Sequence, residues 1–331
     1  MNSKARLLKS KIRNTVYRKF PTLISLRLPR LIALEATNRC NLKCLSCPIP
    51  DNLTRKRGDM SLETFRSLLK QLTWKIERMN WNYGGEPLLN ENLFKMISLA
   101  QSERILSKVD TNGMALNQYI SDIFESGLYI LNVALESDSE DQFRIGYDKN
   151  RVTSAVSEIS RFKKSKKLDY PIINMNFIVK KSNEKEIDEA VKLSKNIGAD
   201  FIVVKSLNIN PGSWMDREKL LLLGNRFVPT DHPELSRYIY KDGEYVLNGQ
   251  ELSYCTYLSN SVTITWDGRV LPCCFDFDAE MKVGNINYQS IKDIWRSKKF
   301  KQMRKQILDK KIDICKNCTP YAPQQKIKLN K

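Results

Sequence analysis

Between Leu31 and Lys205 the chain alternates short, β-branched apolar runs with longer stretches in which apolar residues recur every three or four positions. The short runs predict strands over residues 31–36, 77–83, 106–110, 129–135, 172–179 and 201–205. The longer ones predict helices after Ser61 and over residues 91–101, 116–125, 151–166 and 184–196. Ser61 supplies an N-cap, Glu63 an acidic first turn, and Gly127 and Gly198 follow helix ends. Strands alternating with helices of this length imply βαβ units and a parallel sheet. Six units fall short of the eight that close a full barrel, so the expected fold class is α/β, a partial (β/α)6 barrel with a small C-terminal module.

The flanks read differently. Leu8, Ile12, Val16 and Phe20 recur among basic residues from Lys4 to Phe20, the pattern of a basic amphipathic helix. Residues 207–254 are broken by Asn210-Pro211-Gly212, Pro229, His232-Pro233 and Asp242-Gly243, which predicts an irregular connector. Val262 to Val270 reads as a β-hairpin turning at Asp267-Gly268, and residues 290–308 as one basic amphipathic helix. The expected organisation is a basic extension over 1–30, a core over 31–206, the connector, and a module over 255–331.

Polar motifs follow directly after strands, at Cys40, Gly84, Asn112 and Ser137. In β/α barrels the C-terminal strand ends carry the active site, so one mouth would collect them all. The first is Cys40-Asn41-Leu42-Lys43-Cys44-Leu45-Ser46-Cys47, a C-x3-C-x2-C spacing. Three thiolates on a four-iron cluster leave one iron open for a ligand, whereas a structural zinc site is closed by four. A second group, Cys255, Cys273, Cys274, Cys315 and Cys318, offers four ligands with Cys273 and Cys274 competing for one position. In an extended segment, adjacent side chains point to opposite faces, so only one of the two ligates.

Charge and composition then exclude several classes. Eight cysteines grouped in this way point to metal in a reducing compartment rather than a disulfide scaffold, and hence to a cytoplasmic protein. His232 is the sole histidine, which argues against Ser-His-Asp or Cys-His catalysis. No apolar run is long enough to cross a membrane. The net charge of +18 resides in the ends: nine Lys or Arg and no acid over 1–30, and fourteen against three over 281–331, so that residues 31–280 sum to −2. The basic ends offer contact to an anionic membrane surface or another acidic partner, with peripheral membrane association as one form; a solvated helix face is the plain alternative.

Cys40, Cys44 and Cys47 in this βα setting resemble the signature of the radical S-adenosylmethionine (radical SAM) superfamily, over residues 31–205. The resemblance implies a four-iron (4Fe-4S) cluster on these thiolates, with SAM on its open iron and cleaved to a 5′-deoxyadenosyl radical. It implies SAM contacts at Gly84, Gly85, Glu86 and Pro87, the family's GGEP segment, at Asn112, and at Ser137 beside Glu136. Arg144 and Arg151 both stand as candidates for the SAM carboxylate. Residues 255–318 resemble the SPASM/twitch extension, which implies a second 4Fe-4S cluster on Cys255, Cys273, Cys315 and Cys318. The family spacing favours Cys273 over Cys274.

These features together imply an oxidoreductase with two clusters and SAM, served by an external one-electron reductant. Its substrate is expected to be a small, sugar-like or conjugated molecule, because the thirty residues before the first strand are too few for a separate peptide-recognition fold. A SPASM-type peptide or protein maturase is the second reading. A zinc-stabilised nucleic-acid-binding protein is the reading from another class, supported by the +18 charge.

Overall fold

The computed structural model describes residues 20, 24, 26–137, 143–209, 215–248, 255, 257–316, 318 and 323–329. The expected basic helix over Lys4 to Phe20 lies, apart from Phe20, outside the described residues. All six expected core strands form: β1 (Leu31–Leu34), then after a two-residue β2 (Lys43–Cys44) come β3 (Arg78–Trp81), β4 (Leu106–Thr111) and β5 (Ile130–Leu135). A two-residue β6 (Arg144–Ile145) precedes β7 (Ile172–Val179) and β8 (Phe201–Ser206). Between them run α1 (Leu62–Gln71), α2 (Leu93–Ser102), α3 (Ile120–Glu125), α4 (Lys149–Ser165) and α5 (Ile187–Asn196). Ser61 caps α1 by accepting from the Thr64 amide at 3.1 Å, as its side chain and position require.

Beyond β8 the irregular connector expected over 207–254 is corrected in its described part. It holds α6 (Arg217–Phe227), capped by Asp216, and an antiparallel hairpin of β9 (Tyr238–Lys241) and β10 (Glu244–Leu247). Asp242-Gly243 is the hairpin turn, with both residues at positive φ, and not a break in structure. Gly224 of α6 lies under the Tyr245 ring, where a Cβ would sit 2.2 Å from ring carbons. The Leu220–Leu223 run hid this helix because it carries no polar alternation to reveal a period.

The C-terminal part opens with α7 (Tyr257–Asn260) and the expected hairpin, β11 (Ser261–Ile264) and β12 (Arg269–Leu271), followed by β13 (Gly284–Asn285). The single helix expected over 290–308 is instead two, α8 (Ile291–Arg296) and α9 (Lys298–Leu308). Ser297 ends the first and caps the second with its side chain on the Phe300 amide. The lysine-rich tail forms β14 (Gln324–Lys328), an antiparallel edge strand on β8.

One ten-stranded sheet joins these pieces in the order β13-β12-β11-β1-β3-β4-β5-β7-β8-β14, open at both ends among the described residues. From β11 through β8 every pairing is parallel. The C-terminal hairpin thus extends the core sheet beside β1, with Ala33 opposite Thr263. Ile32, Leu34, Trp81, Val109, Val133 and Met175 are buried in the helix-covered face. The other face carries Asn80, Lys108, Asp110, Asn132, Asn174 and Lys205 at alternate positions. Parallel strands buried on both sides read as continuous apolar runs, so this alternation marks the inner face as a polar surface.

Leu34 is fully buried in the strand that joins core and hairpin. Leu34→Ala is expected to lower unfolding free energy by about 2–5 kcal/mol, read as a reduced denaturant midpoint with an unchanged slope.

Candidate active site

The first cysteine group is shaped from two sides. Residues 54–60 run back across the loop as a strap: Asn38 accepts from the Gly58 amide at 2.8 Å and donates to the Lys56 carbonyl at 2.9 Å, while Arg57 donates to the Asn38 carbonyl at 2.7 Å. On the far side Cys44 pairs with Arg144 through the β2–β6 ladder, and the Leu45 amide donates to the Phe143 carbonyl at 3.0 Å. The Cys47 amide closes a turn onto the Cys44 carbonyl. A polar loop is thereby held in one path without a core of its own.

Gly84-Gly85-Glu86 docks on this loop from β3. Both glycines have positive φ, and a Cβ on Gly85 would lie 2.3 Å from the Thr37 carbonyl oxygen. Here the absence of a side chain serves the approach of the loop's own backbone. Glu86, almost wholly buried, accepts from the Thr111 hydroxyl at 2.7 Å, the Asn112 amide at 2.7 Å and the Leu88 amide at 3.1 Å. Burial raises its pKa and these hydrogen bonds oppose the rise. Asn112 then donates to the Asn41 side chain at 2.7 Å, between the first two cysteines. The expected site residues Gly84, Gly85, Glu86, Pro87 and Asn112 therefore form a bracket around Cys40, with both Glu86 oxygens engaged inside the protein.

The two candidate arginines separate. Arg144 lies in electrostatic reach of the Cys44 sulfur and donates to Glu136 at 2.6 Å, whereas Arg151 is exposed at the start of α4. Glu136 also pairs with Lys180 at 2.6 Å, a lysine that is 1% exposed. Ser137 lines a cavity of about 120 Å³ together with Leu135, Lys149, Glu186 and Glu189. Burial pushes the Cys40, Cys44 and Cys47 thiols up, Cys47 to about 12. Buried thiols in this state need a metal's positive charge to become thiolates.

The second cysteine group gathers beside β11, where the antiparallel register carries Cys273 past Leu271 toward the Ser261 end of that strand. Cys255, Cys315 and Cys318 interact electrostatically, and both Cys273 and Cys274 lie within reach of Cys255 and Cys318. The Cys273 sulfur accepts from the Phe275 amide at 3.3 Å. All eight cysteines are free thiols. Among the described residues no three His, Cys, Asp or Glu side chains are drawn tightly enough together to grip a single metal ion; the thiols form wider sets.

A buried clamp joins the two groups. Glu35, at the end of β1, pairs with Arg55 of the strap at 2.8 Å through one guanidinium nitrogen and also through the other, and accepts from the Trp266 amide at 3.1 Å. Arg55 donates in turn to the Phe277 carbonyl at 2.5 Å, and Thr54 to Asp278 at 2.7 Å. Tyr83, next to Gly84, stacks on Phe277 with centroids 5.5 Å apart, donates to the Asp276 carbonyl and lies in electrostatic reach of Cys273. Glu35, Arg55, Tyr83 and Lys180 escaped the sequence reading. A carboxylate closing an apolar strand, and an arginine in a loop, have no signal of their own until their partners are known.

Residues 34–194 match the radical SAM superfamily, and residues 255–319 match an iron-sulfur cluster-binding domain, SPASM. The chain belongs to the radical SAM superfamily and carries a C-terminal SPASM domain. Among curated relatives of this radical SAM protein are a GTP 3′,8-cyclase of Clostridium botulinum, 24% identical over 78% of this chain and 84% of its own, and the S-adenosyl-L-methionine-dependent 2-deoxy-scyllo-inosamine dehydrogenase of Niallia circulans, 24% identical over 90% and 96%. Similar solved structures include BtrN in complex with AdoMet and 2-DOIA, with TM-score 0.55, 22% identity and coverage of 88% and 94%. SuiB of Streptococcus suis bound to its precursor peptide SuiA gives TM-score 0.62 at 16% identity, with coverage of 96% and 76%. At these identities the structures establish the fold.

The radical SAM and SPASM matches establish an iron-sulfur enzyme that uses SAM and a 4Fe-4S cluster, with a further cluster in the SPASM domain. The donor chemistry fits: free, half-buried thiols at a strand end, with Arg144 beside them to offset thiolate charge. Among the described residues no helix is long and apolar enough to cross a membrane.

Two outcomes follow from the bracket and the clamp. Glu86→Gln leaves buried donors facing an amide in place of a carboxylate, a loss of about 1–3 kcal/mol, and the reconstituted variant should retain less iron than wild type at unchanged circular dichroism. Arg55→Met strands Glu35 as a buried charge, at about 3–5 kcal/mol. Burial already raises the Glu35 pKa above its ordinary value, against the opposing pull of Arg55. In the variant the folded state would hold a proton that the unfolded state releases above its own pKa. Stability should therefore rise as pH falls from 8 toward 6, seen as a denaturant midpoint that rises more steeply than in wild type.

Proposed function

We propose that this radical SAM enzyme is a dehydrogenase of a small, hydroxylated or conjugated molecule, and that its SPASM cluster accepts the second electron of the oxidation. The observation that carries the reading is Tyr83: one residue adjoins Gly84 of the bracket around Cys40 and also contacts the Asp276–Phe277 segment that follows Cys273 and Cys274. A core and a SPASM domain that share a buried contact at the cluster-bearing loops can act on one substrate. The Niallia circulans relative, a dehydrogenase aligned over nearly its whole length, supports the same reaction class.

In this reading Cys40, Cys44 and Cys47 hold the first cluster, and Cys255, Cys315 and Cys318 with Cys273 or Cys274 hold the second. When bound, SAM and its reduced cluster would supply the means of abstracting a hydrogen atom from the substrate, and the auxiliary cluster would supply an acceptor for the second electron, with the proton leaving to solvent. The protein's work is placement. Glu86 and Asn112 fix the Cys40 loop, Gly84 and Gly85 present backbone groups beside it, and Arg144 stands next to Cys44 as the cation for a carboxylate of SAM. Ser137 lines a cavity near Glu136 that suits a hydroxyl-bearing part of the cofactor. An external one-electron reductant completes the cycle.

Cys44→Ala should abolish 5′-deoxyadenosine formation by the anaerobically reconstituted, dithionite-reduced enzyme; persistence of that product would refute the assignment. Cys318→Ala should retain 5′-deoxyadenosine formation and lose only substrate oxidation, the split expected of an electron acceptor. Joint loss of both in a folded Cys318→Ala protein would exclude the acceptor role.

A further inference from the structure

The inner face of the sheet holds a polar row that neither cysteine group uses. Lys108 and Asp110 of β4 pair at 3.0 Å, the Asn132 amide of β5 donates to Asp110, and the Asn174 amide of β7 donates to the Asn132 oxygen at 2.8 Å. The register places these residues side by side: Asp110 opposite Asn132, and Asn132 opposite Asn174. Asn176 lies two positions further toward the strand ends on the same face, and Lys205, opposite Ile178, four positions further. That direction is the mouth where Thr111-Asn112 meets the Cys40 loop.

Three groups in this row lack partners. Asn174 is 6% exposed, yet its side-chain oxygen is buried without a hydrogen bond, and the Asn176 oxygen is likewise buried and unbonded. Each such group costs free energy unless a donor reaches it. Lys205, half-buried, forms no direct ion pair among the described residues; Asp110, itself paired with Lys108, attracts it from further off, and Arg144 repels it. The face therefore presents two bare acceptors and a cation without a direct partner.

We infer that this row is a substrate site for a hydroxylated or amino-bearing small molecule that also carries an anionic group, with Lys205 holding the anion and Asn174 and Asn176 accepting from hydroxyl or amino donors. The inference rests on the radical SAM dehydrogenase reading and names its substrate class. An anion on Lys205 forms a charge-assisted hydrogen bond in an enclosed setting, and donors on the asparagine oxygens satisfy groups that otherwise remain buried and unmet. A phosphate and a carboxylate share this chemistry. A neutral aminocyclitol or sugar would satisfy the asparagines and leave Lys205 without a direct partner.

The test measures binding to the anaerobically reconstituted, SAM-loaded full chain by calorimetry. The probes are ribose 5-phosphate, glucose 6-phosphate and gluconate, with ribose and glucose as neutral counterparts. At least one anionic probe should bind about tenfold or more tightly than its neutral counterpart, and Lys205→Gln should close that gap. A gap confined to the phosphates marks a phosphorylated substrate, and one confined to gluconate an acid; both support the site. Asn174→Leu should weaken charged and neutral probes alike, with Asn176→Ala as the second variant where the first does not fold. Equal binding of charged and neutral probes, a gap that survives Lys205→Gln, or no binding of any anionic probe overturns the inference. Substrate-independent 5′-deoxyadenosine formation by wild type, run alongside, reports on the radical SAM reading separately.

Discussion

The Glu35–Arg55 pair is the constraint on which the architecture turns. Both side chains are almost wholly buried, and each has a further partner across the junction: Glu35 the Trp266 amide, Arg55 the Phe277 carbonyl. Burying two charges is costly and repaid only when geometry and remaining hydrogen bonds are satisfied, which this arrangement achieves from three separate stretches of chain. A hydrophobic pair of like volume could be as stable. It would not fix the strap, the end of β1 and the hairpin turn in a single relative position. Gly58 shows how close that fit is, since a Cβ there would fall 2.5 Å from the Trp266 ring.

From that clamp the two cysteine groups inherit their relation. β1 leads into the Cys40 loop and pairs directly with β11, whose hairpin leads to Cys273. The SPASM part is thus bound to the core by backbone ladder, by buried charge and by the stacked Tyr83–Phe277 pair at once. Interfaces between domains are commonly smaller and more polar than domain cores, and leave room for relative motion. Here the sheet runs through the junction, so the two cluster-bearing loops are set by one rigid element.

Much of this was legible in the sequence. The six core strands, the Ser61 cap, the Asp-Gly hairpin and the position of every polar motif after a strand follow from periodicity and turn chemistry, which act over a few residues. What was hidden depends on distant partners. Glu86 is an expected SAM contact, but that its oxygens also accept from Thr111, Asn112 and Leu88 had no signal, because only the fold brings those donors to it. The hairpin at Asp242-Gly243 was masked by neighbouring prolines, and β14 by its lysines, which suit an edge strand as well as a solvated tail. The polar row was readable in principle: Asn80, Lys108, Asp110, Asn132, Asn174 and Lys205 recur at alternate positions in strands that otherwise belong to a buried parallel sheet.

Charge places the chemistry as firmly as shape does. The +18 of the whole chain belongs to its ends, but the site has its own surplus. Glu136 pairs with two cations, Arg144 and Lys180, and Arg144 lies in electrostatic reach of Cys44. That places positive charge beside a loop whose thiols, holding iron as proposed, would have to become thiolates. Lys205 adds positive charge on the same face, without a direct ion pair although Asp110 attracts it from further off. The two cations, Arg144 at the thiols and Lys205 at the polar row, stand where they would meet two different negative groups. That division lets the loop take up its metal without consuming the charge that would orient a substrate.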